Sequence, residues 1–490
     1  MFRPATSRIL LPAAAILAAW AASGCTAAFG PGYTVEKQRV EVSYAQQTPD
    51  RVSVRAYYEL KNTGTRPLSM LELQPPDSEI ILPQDLRVEW RGKTIEIPAT
   101  KPAENTADIL RATFPESWAI GESGEFLVSY DVKISPEKSA IGANHGAAFF
   151  LPSSGWLPAL LPAHGAFATG GAPPPKWDLD VNVPAGYRVR ASGENRGADK
   201  RAKGAGVRFE QQSGTNFDAY VAAGPYIEQQ VHSTGRTVIF WTATPLANNR
   251  SGQFGKLIAA DDSFFSTEFG ADEKNKSPIY LIECPQGAPR SQDRPWVSQT
   301  GCLTQPYSVV IPSEDFSASA PDGYMKSVDL QLAATWLYFS ARLGRYDALF
   351  PLAAVPDYAG IDLAVSRDPQ SRNQAVRDLL RQVDAIPDGG KQLAHVVAQD
   401  SPELKDRARA ESVLFFFALE DRCGAKNVHK GLARASRLLR GETWGPADLR
   451  SAIEAECGGP VLDGFFREWI HNSQIPPEFR ARYASSTAVK

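Results

Sequence analysis

The chain has 490 residues, with 52 basic against 55 acidic side chains and a formal net charge of −3. That balance offers no basic surface for nucleic acid or for an anionic membrane face. The length allows two or three domains, and 43% apolar with 10% aromatic residues is enough for ordinary packed cores.

In chain order, the first feature is a targeting segment. Arg3 and Arg8 supply a positive start, and ILLPAAAILAAWA (9–21) is an apolar run too short for a comfortable membrane span. Ala22-Ser23-Gly24-Cys25 follows. Small residues directly before a cysteine resemble the lipobox of bacterial lipoproteins, with Ala22 where Leu is usual; an ordinary secretory signal is the alternative. The resemblance implies a signal peptide over 1–24, Cys25 as a lipidated N-terminus, and a linker over 25–33. It also implies a bacterial cell-envelope location with the membrane as partner. Thr26 lacks the Asp of an inner-membrane retention signal, so the outer membrane facing the periplasm is favoured where two membranes exist. Without Arg3 and Arg8, 50 basic groups face 55 acidic ones.

Strands come next. RVSVRAYYELKN (51–62), GEFLVSYDVKI (124–134) and WDLDVNVPAGYRV (177–189) alternate apolar and polar residues and are rich in β-branched and aromatic types. VRFEQQSGTNFDAYVAAGPY (207–226) reads as two strands around a turn. Many short strands with turn signals predict an antiparallel β-sandwich. Near residue 230 the pattern changes. Short apolar strands are expected at 237–241, 278–284 and 307–312, with a helix over 251–270. Helices are then predicted over 327–343, 370–385, 403–420, 426–440 and 446–457, making the second half α/β and then α.

Beyond Cys25 the cysteines are Cys284, Cys302, Cys423 and Cys457. Export makes disulfides available, and the even number favours them. Three connectivities exist; proximity along the chain favours Cys284–Cys302 and Cys423–Cys457.

Several stretches together resemble the membrane alanyl aminopeptidase family (aminopeptidase N and leukotriene hydrolase) of gluzincin metallopeptidases. FFLPSSGWLPALLP (149–162), WDLDVNVPAGYRVRASG (177–193) and FDAYVAAGPY (217–226) are similar to the family's N-terminal sandwich. TWGPADLRSAIEAECGGPVLDGFFREWIHNSQIPP (443–477) is similar to the end of its catalytic domain. The resemblance implies a multidomain α and β protein: an antiparallel β-sandwich over 34–230, then a thermolysin-like (zincin) α/β-to-α domain over 231–490.

The family's HExxH helix binds zinc through two histidines at i and i+4, with the intervening Glu as general base, and a second Glu follows downstream as third ligand. Laying Trp336 on the family's Trp puts Leu330 and Ala334 at the histidines, Gln331 at the base and Ala353 at the third ligand. Leu330, Ala334, Leu337 and Ala341 recur at i, i+4, i+7 and i+11, one stripe of a helix. The family's amine-binding Glu falls on Thr304, and its oxyanion-stabilising Tyr on Arg409. The catalytic positions are thus vacated, and neither a metal nor another cofactor is expected.

Other chemistry leaves no signature, for there is no GxSxG, P-loop or GxGxxG. None of the six histidines has another at i+3 or i+4 or a ligand-spaced Cys or carboxylate partner, so each reads as a surface or capping residue, with His395 at a core edge. The expected function is a lipid-anchored, catalytically inactive aminopeptidase-like protein that binds a peptide or protein partner. Two alternatives stay open: an active metallopeptidase or hydrolase with unrecognised residues, and a purely structural envelope lipoprotein.

Overall fold

The computed structural model describes residues 32–44, 51–74, 85–97, 110–133, 141–144, 147–150, 156–161, 176–198, 205–212, 220–233, 235–247, 249–269, 278–284, 303–304, 308–312, 332–333, 354–387, 390–396, 401–438, 446–459, 462–472 and 474–484. Cys25, Cys302, Leu330, Gln331, Ala334, Leu337, Ala341 and Ala353 lie outside these residues.

The first half is β. Strand β2 (Arg51–Asn62) buries every second residue, as its alternation demands. It pairs antiparallel with β1 (Tyr33–Tyr44) and β7 (Ser123–Lys133). These belong to an eight-stranded sheet that also holds β4 (Arg87–Trp90), β5 (Lys93–Ile95), β11 (Lys176–Val183), β13 (Glu194–Ala198) and β14 (Ala205–Gln212). A three-stranded sheet of β3 (Leu68–Gln74), β6 (Leu110–Trp118) and β10 (Ala159–Leu161) shares its apolar core. Trp90, Phe114 and Trp118 interlock there, with ring centroids 4.2 Å apart for Trp90–Phe114 and 5.0 Å for Trp90–Trp118. Gly124 makes room for the indole, since a Cβ there would stand 2.2 Å from Trp90.

Three sequence expectations change. The stretch 177–189 is two strands, because Pro184 and Gly186 (φ 85°) turn the chain between β11 and β12 (Arg188–Ala191). The segment 207–226 is no hairpin: β14 pairs with β11 and β13, whereas β15 (Val221–Gly224) joins β12 and β9 (Ala147–Phe150) in a sheet completed by β8 (Ile141–Asn144). The large sheet is not purely antiparallel either, since β1 and β11 run parallel from Gln38↔Trp177 to Ser43↔Asn182. Such long-range pairing is set by burial of both strands and leaves no local signal.

The second half begins with a five-stranded sheet in the order β16 (Ile227–Ser233), β17 (Arg236–Thr242), β18 (Ile279–Cys284), β20 (Ser308–Pro312), β19 (Leu303–Thr304). β17, β18 and β20 are parallel, and β16 and β19 are antiparallel edges. Eight α-helices are described: α1 (Arg250–Phe269), α2 (Ala354–Arg367), α3 (Ser371–Ala385), α4 (Pro402–Cys423), α5 (Ala425–Leu438), α6 (Pro446–Cys457), α7 (Asp463–Ile470) and α8 (Pro477–Ala484). Of the helix expected over 327–343, Leu332 and Ala333 are described; both are helical and fully buried in the core shared by this sheet and these helices. His395 ends a short 3-10 turn (Leu393–His395) and is exposed, not at a core edge. Cys423 and Cys457 form a disulfide with Cα atoms 5.5 Å apart, tying the ends of α4 and α6.

The two halves touch through Arg190. Its Nε donates to Ser308 Oγ at 3.1 Å, and its guanidinium lies 4.2 Å from the Tyr280 ring centroid.

Candidate functional site

Thr304 lies on β19, the antiparallel edge strand, opposite Ser308 of β20. Arg409 lies on α4. This helix starts at Ser401, whose hydroxyl accepts from Leu404 N at 3.3 Å, with Pro402 in the first turn. Arg409, Val413, Phe416 and Glu420 recur at i, i+4, i+7 and i+11 and form one stripe of α4. Arg409 at one end of it binds both carboxylate oxygens of Asp357 on α2. Phe416 stacks on Tyr358 of the same helix at 5.0 Å. The Arg409 guanidinium, which the sequence resemblance would set at the family's oxyanion Tyr, is engaged by a buried carboxylate.

At the other end of the stripe, polar groups that the sequence did not single out converge. The link between α4 and α5 is one residue, Gly424, whose φ of 80° lets the chain reverse at once. That turn brings Glu420 of α4 and His429 of α5 together. Tyr358 and Asp362, four apart on α2, present one face to them. Tyr358 Oη donates to Glu420 Oε1 at 2.5 Å. His429 Nε2 lies 3.1 Å from Tyr358 Oη and 3.2 Å from Asp362 Oδ2, and its Nδ1 lies 3.1 Å from Glu268 Oε2 at the end of α1. Arg372 of α3 closes the back, with Nη2 3.1 Å from Glu420 Oε2 and 2.9 Å from Asp421 Oδ1, and Nη1 2.6 Å from Tyr483 Oη.

Burial alone would push the His429 pKa down, but hydrogen bonds to Asp362 and Glu268 and the charges of Asp362 and Glu420 outweigh it and raise the net value. Burial pushes the Glu420 carboxyl up; the Tyr358 hydrogen bond opposes this, the Asp362 charge adds to it, and Arg372 offsets part. The His429 shift reports neighbouring negative charge, whereas the Glu420 shift reports chiefly burial. His429 is buried, so the expectation that each histidine is a surface or capping residue is corrected here. Its partners come from positions 268, 358, 362 and 420, which no spacing rule connects.

No family model and no curated protein matches the chain. Solved structures do. The M1 zinc metallopeptidase from Deinococcus radiodurans is similar at a TM-score of 0.61 and 16% identity, covering 91% of this chain and 96% of its own. Mutant forms of that enzyme, one bound to L-arginine and one to a Tyr-Ser-Ala substrate, match at 15% identity with the same TM-score and coverage. The chain has the fold of an M1 metallopeptidase: a large β region followed by a mixed sheet and a helical C-terminal part. At this identity the likeness defines the fold alone.

The neighbours named above are zinc enzymes. Leu330, Ala334 and Ala353 carry no lone pair, Gln331 has no useful basicity, and Thr304 carries no negative charge. These are the positions that the sequence resemblance would assign to the metal site, and Leu330, Gln331, Ala334 and Ala353 lie outside the described residues.

Proposed function

We propose that this chain is an exported, lipid-anchored, catalytically inactive relative of the M1 aminopeptidases that binds a peptide or protein partner. Cys25 carries the anchor, in the outer membrane facing the periplasm where two membranes exist. Among the described residues no helix is long and apolar enough to cross a membrane, so the anchor is the attachment this reading requires. The observation that carries it is a contrast. The M1 fold extends over 91% of the chain, while the assigned catalytic positions hold Leu330, Gln331, Ala334, Ala353 and Thr304, and Arg409 is locked to Asp357. A site without ligands, base or amine-binding carboxylate lacks the chemistry of the metallopeptidases.

The test is an assay of the purified protein against aminoacyl and oligopeptide substrates with added Zn2+, alongside binding of a peptide library. The expected result is no cleavage, with saturable binding of a subset of peptides. Chelator-sensitive peptide cleavage would overturn the reading.

A further inference from the structure

Three carboxylates surround one imidazole where α1, α2, α4 and α5 meet, and among the described residues one guanidinium, that of Arg372, answers them. Glu268, Asp362 and Glu420 carry three negative charges. Arg372 returns one positive charge and shares it with Asp421. Two negative charges therefore remain beside a neutral His429. A proton on the imidazole cancels one of them; a divalent cation cancels both. Glu268 is partly solvated, with 37% of its side chain exposed. Asp362 and Glu420 are buried, and uncompensated charge there is expensive, so the site favours whatever completes the neutralisation.

We propose that Asp362, Glu420 and His429 form a structural site for one divalent cation of the zinc class, binding through a carboxylate oxygen of each acid and Nε2 of the imidazole. The three donor atoms already lie within 4.8 Å of one another. Ligands held at about 2.0–2.1 Å from a tetrahedral zinc stand about 3.3 Å apart, and His429 Nε2 and Asp362 Oδ2 are separated by 3.2 Å.

The orientation of His429 is the second argument. Metal-bound histidines usually give their other ring nitrogen to a carboxylate, which fixes the tautomer and strengthens the ligand. Glu268 occupies that place on Nδ1, so Nε2 is turned inward. Tyr358 Oη lies against both Nε2 and Glu420 Oε1 and is walled by Phe416 and Phe417. The Phe269 ring covers the imidazole with its centroid 4.6 Å away. One imidazole with two carboxylates is a donor set for Zn2+ or a similar N/O-binding ion. Set between α2, α4 and α5, it would staple these helices, with a fourth position left for water. None of its donors is a residue that the sequence resemblance assigns to the family's zinc position: Asp362 lies on α2, Glu420 on α4 and His429 on α5.

The experiment uses metal-stripped full-length protein treated with an alkylating agent, so that any cysteine outside a disulfide cannot bind metal. Titration with Zn2+ by calorimetry is expected to show one saturable equivalent per chain and a rise in Tm. Asp362→Asn and His429→Gln should each weaken binding at least tenfold. Glu268→Gln, acting through the imidazole, should weaken it about 10–100-fold. Co2+ serves as a second readout: wild-type protein should give visible absorption bands that Asp362→Asn loses. No saturable Zn2+ binding by the wild-type chain overturns the proposal. So does binding that is unchanged in both Asp362→Asn and His429→Gln. Because the wild-type isotherm decides by itself, a variant that fails to fold leaves the test intact. Peptide cleavage bears on the function proposed above and not on this site.

Discussion

Arg409 of α4 grips Asp357 of α2 through Nε and Nη2, and only 9% of the Asp357 side chain is exposed. The pair sits where the M1 resemblance would place the oxyanion-stabilising Tyr. A residue committed in this way does not donate to a developing charge in the cleft. Arg409→Ala strands a buried carboxylate and should cost about 3 kcal/mol, near the low end for a broken buried pair because Arg409 is partly exposed. The double variant Asp357→Leu, Arg409→Leu should recover most of that loss. Urea denaturation of the three proteins checks it, and an Arg409→Ala variant of wild-type stability would refute the structural role.

Rebuilding the family's ligand set asks a different question. Leu330→His, Gln331→Glu, Ala334→His and Ala353→Glu together should add one zinc per chain over the unsubstituted protein, with little turnover. Thr304 still offers no anion to a substrate amine, and Arg409 stays with Asp357. Metal analysis and an aminoacyl-anilide assay measure the two outcomes separately.

The Cys423–Cys457 bridge spans a sequence separation of 34 residues and ties α4 to α6, flanking the α4–α5 turn. Replacing both cysteines by Ser should cost about 2–4 kcal/mol, chiefly by freeing the unfolded chain. Chemical denaturation of the variant measures it, and non-reducing peptide mapping should recover the linked pair.

Gly431 of α5 faces α6 so closely that a Cβ would stand 2.8 Å from Ile453 Cα. Backbone cannot yield as a side chain tip can. Gly431→Ala should therefore destabilise by about 1–3 kcal/mol despite the better helix propensity of Ala. A rise in Tm would show that the two helices separate freely.

Cys25→Ala should move the protein from the membrane to the soluble fraction, because each acyl methylene withdrawn from lipid removes about 0.8 kcal/mol. Mass spectrometry of the wild-type chain should find a lipidated N-terminal Cys25.

What the sequence determined by itself was local. Period-2 alternation located β2 at 51–62, and the helix expected over 403–420 lies within α4 (Pro402–Cys423). The ordered family-like segments pointed to the M1 fold, and the same resemblance would place alkyl side chains at its ligand positions. The tertiary structure decided what depends on distant pairing. It set β1 parallel to β11 across more than a hundred residues, sent β14 and β15 into different sheets, and closed Asp357 onto Arg409. It also assembled Glu268, Tyr358, Asp362, Glu420 and His429 from four helices. Neither strand partners nor a buried charge cluster has a sequence period. Both are selected by which surfaces must leave water together, and that is settled only when the helices and sheets pack.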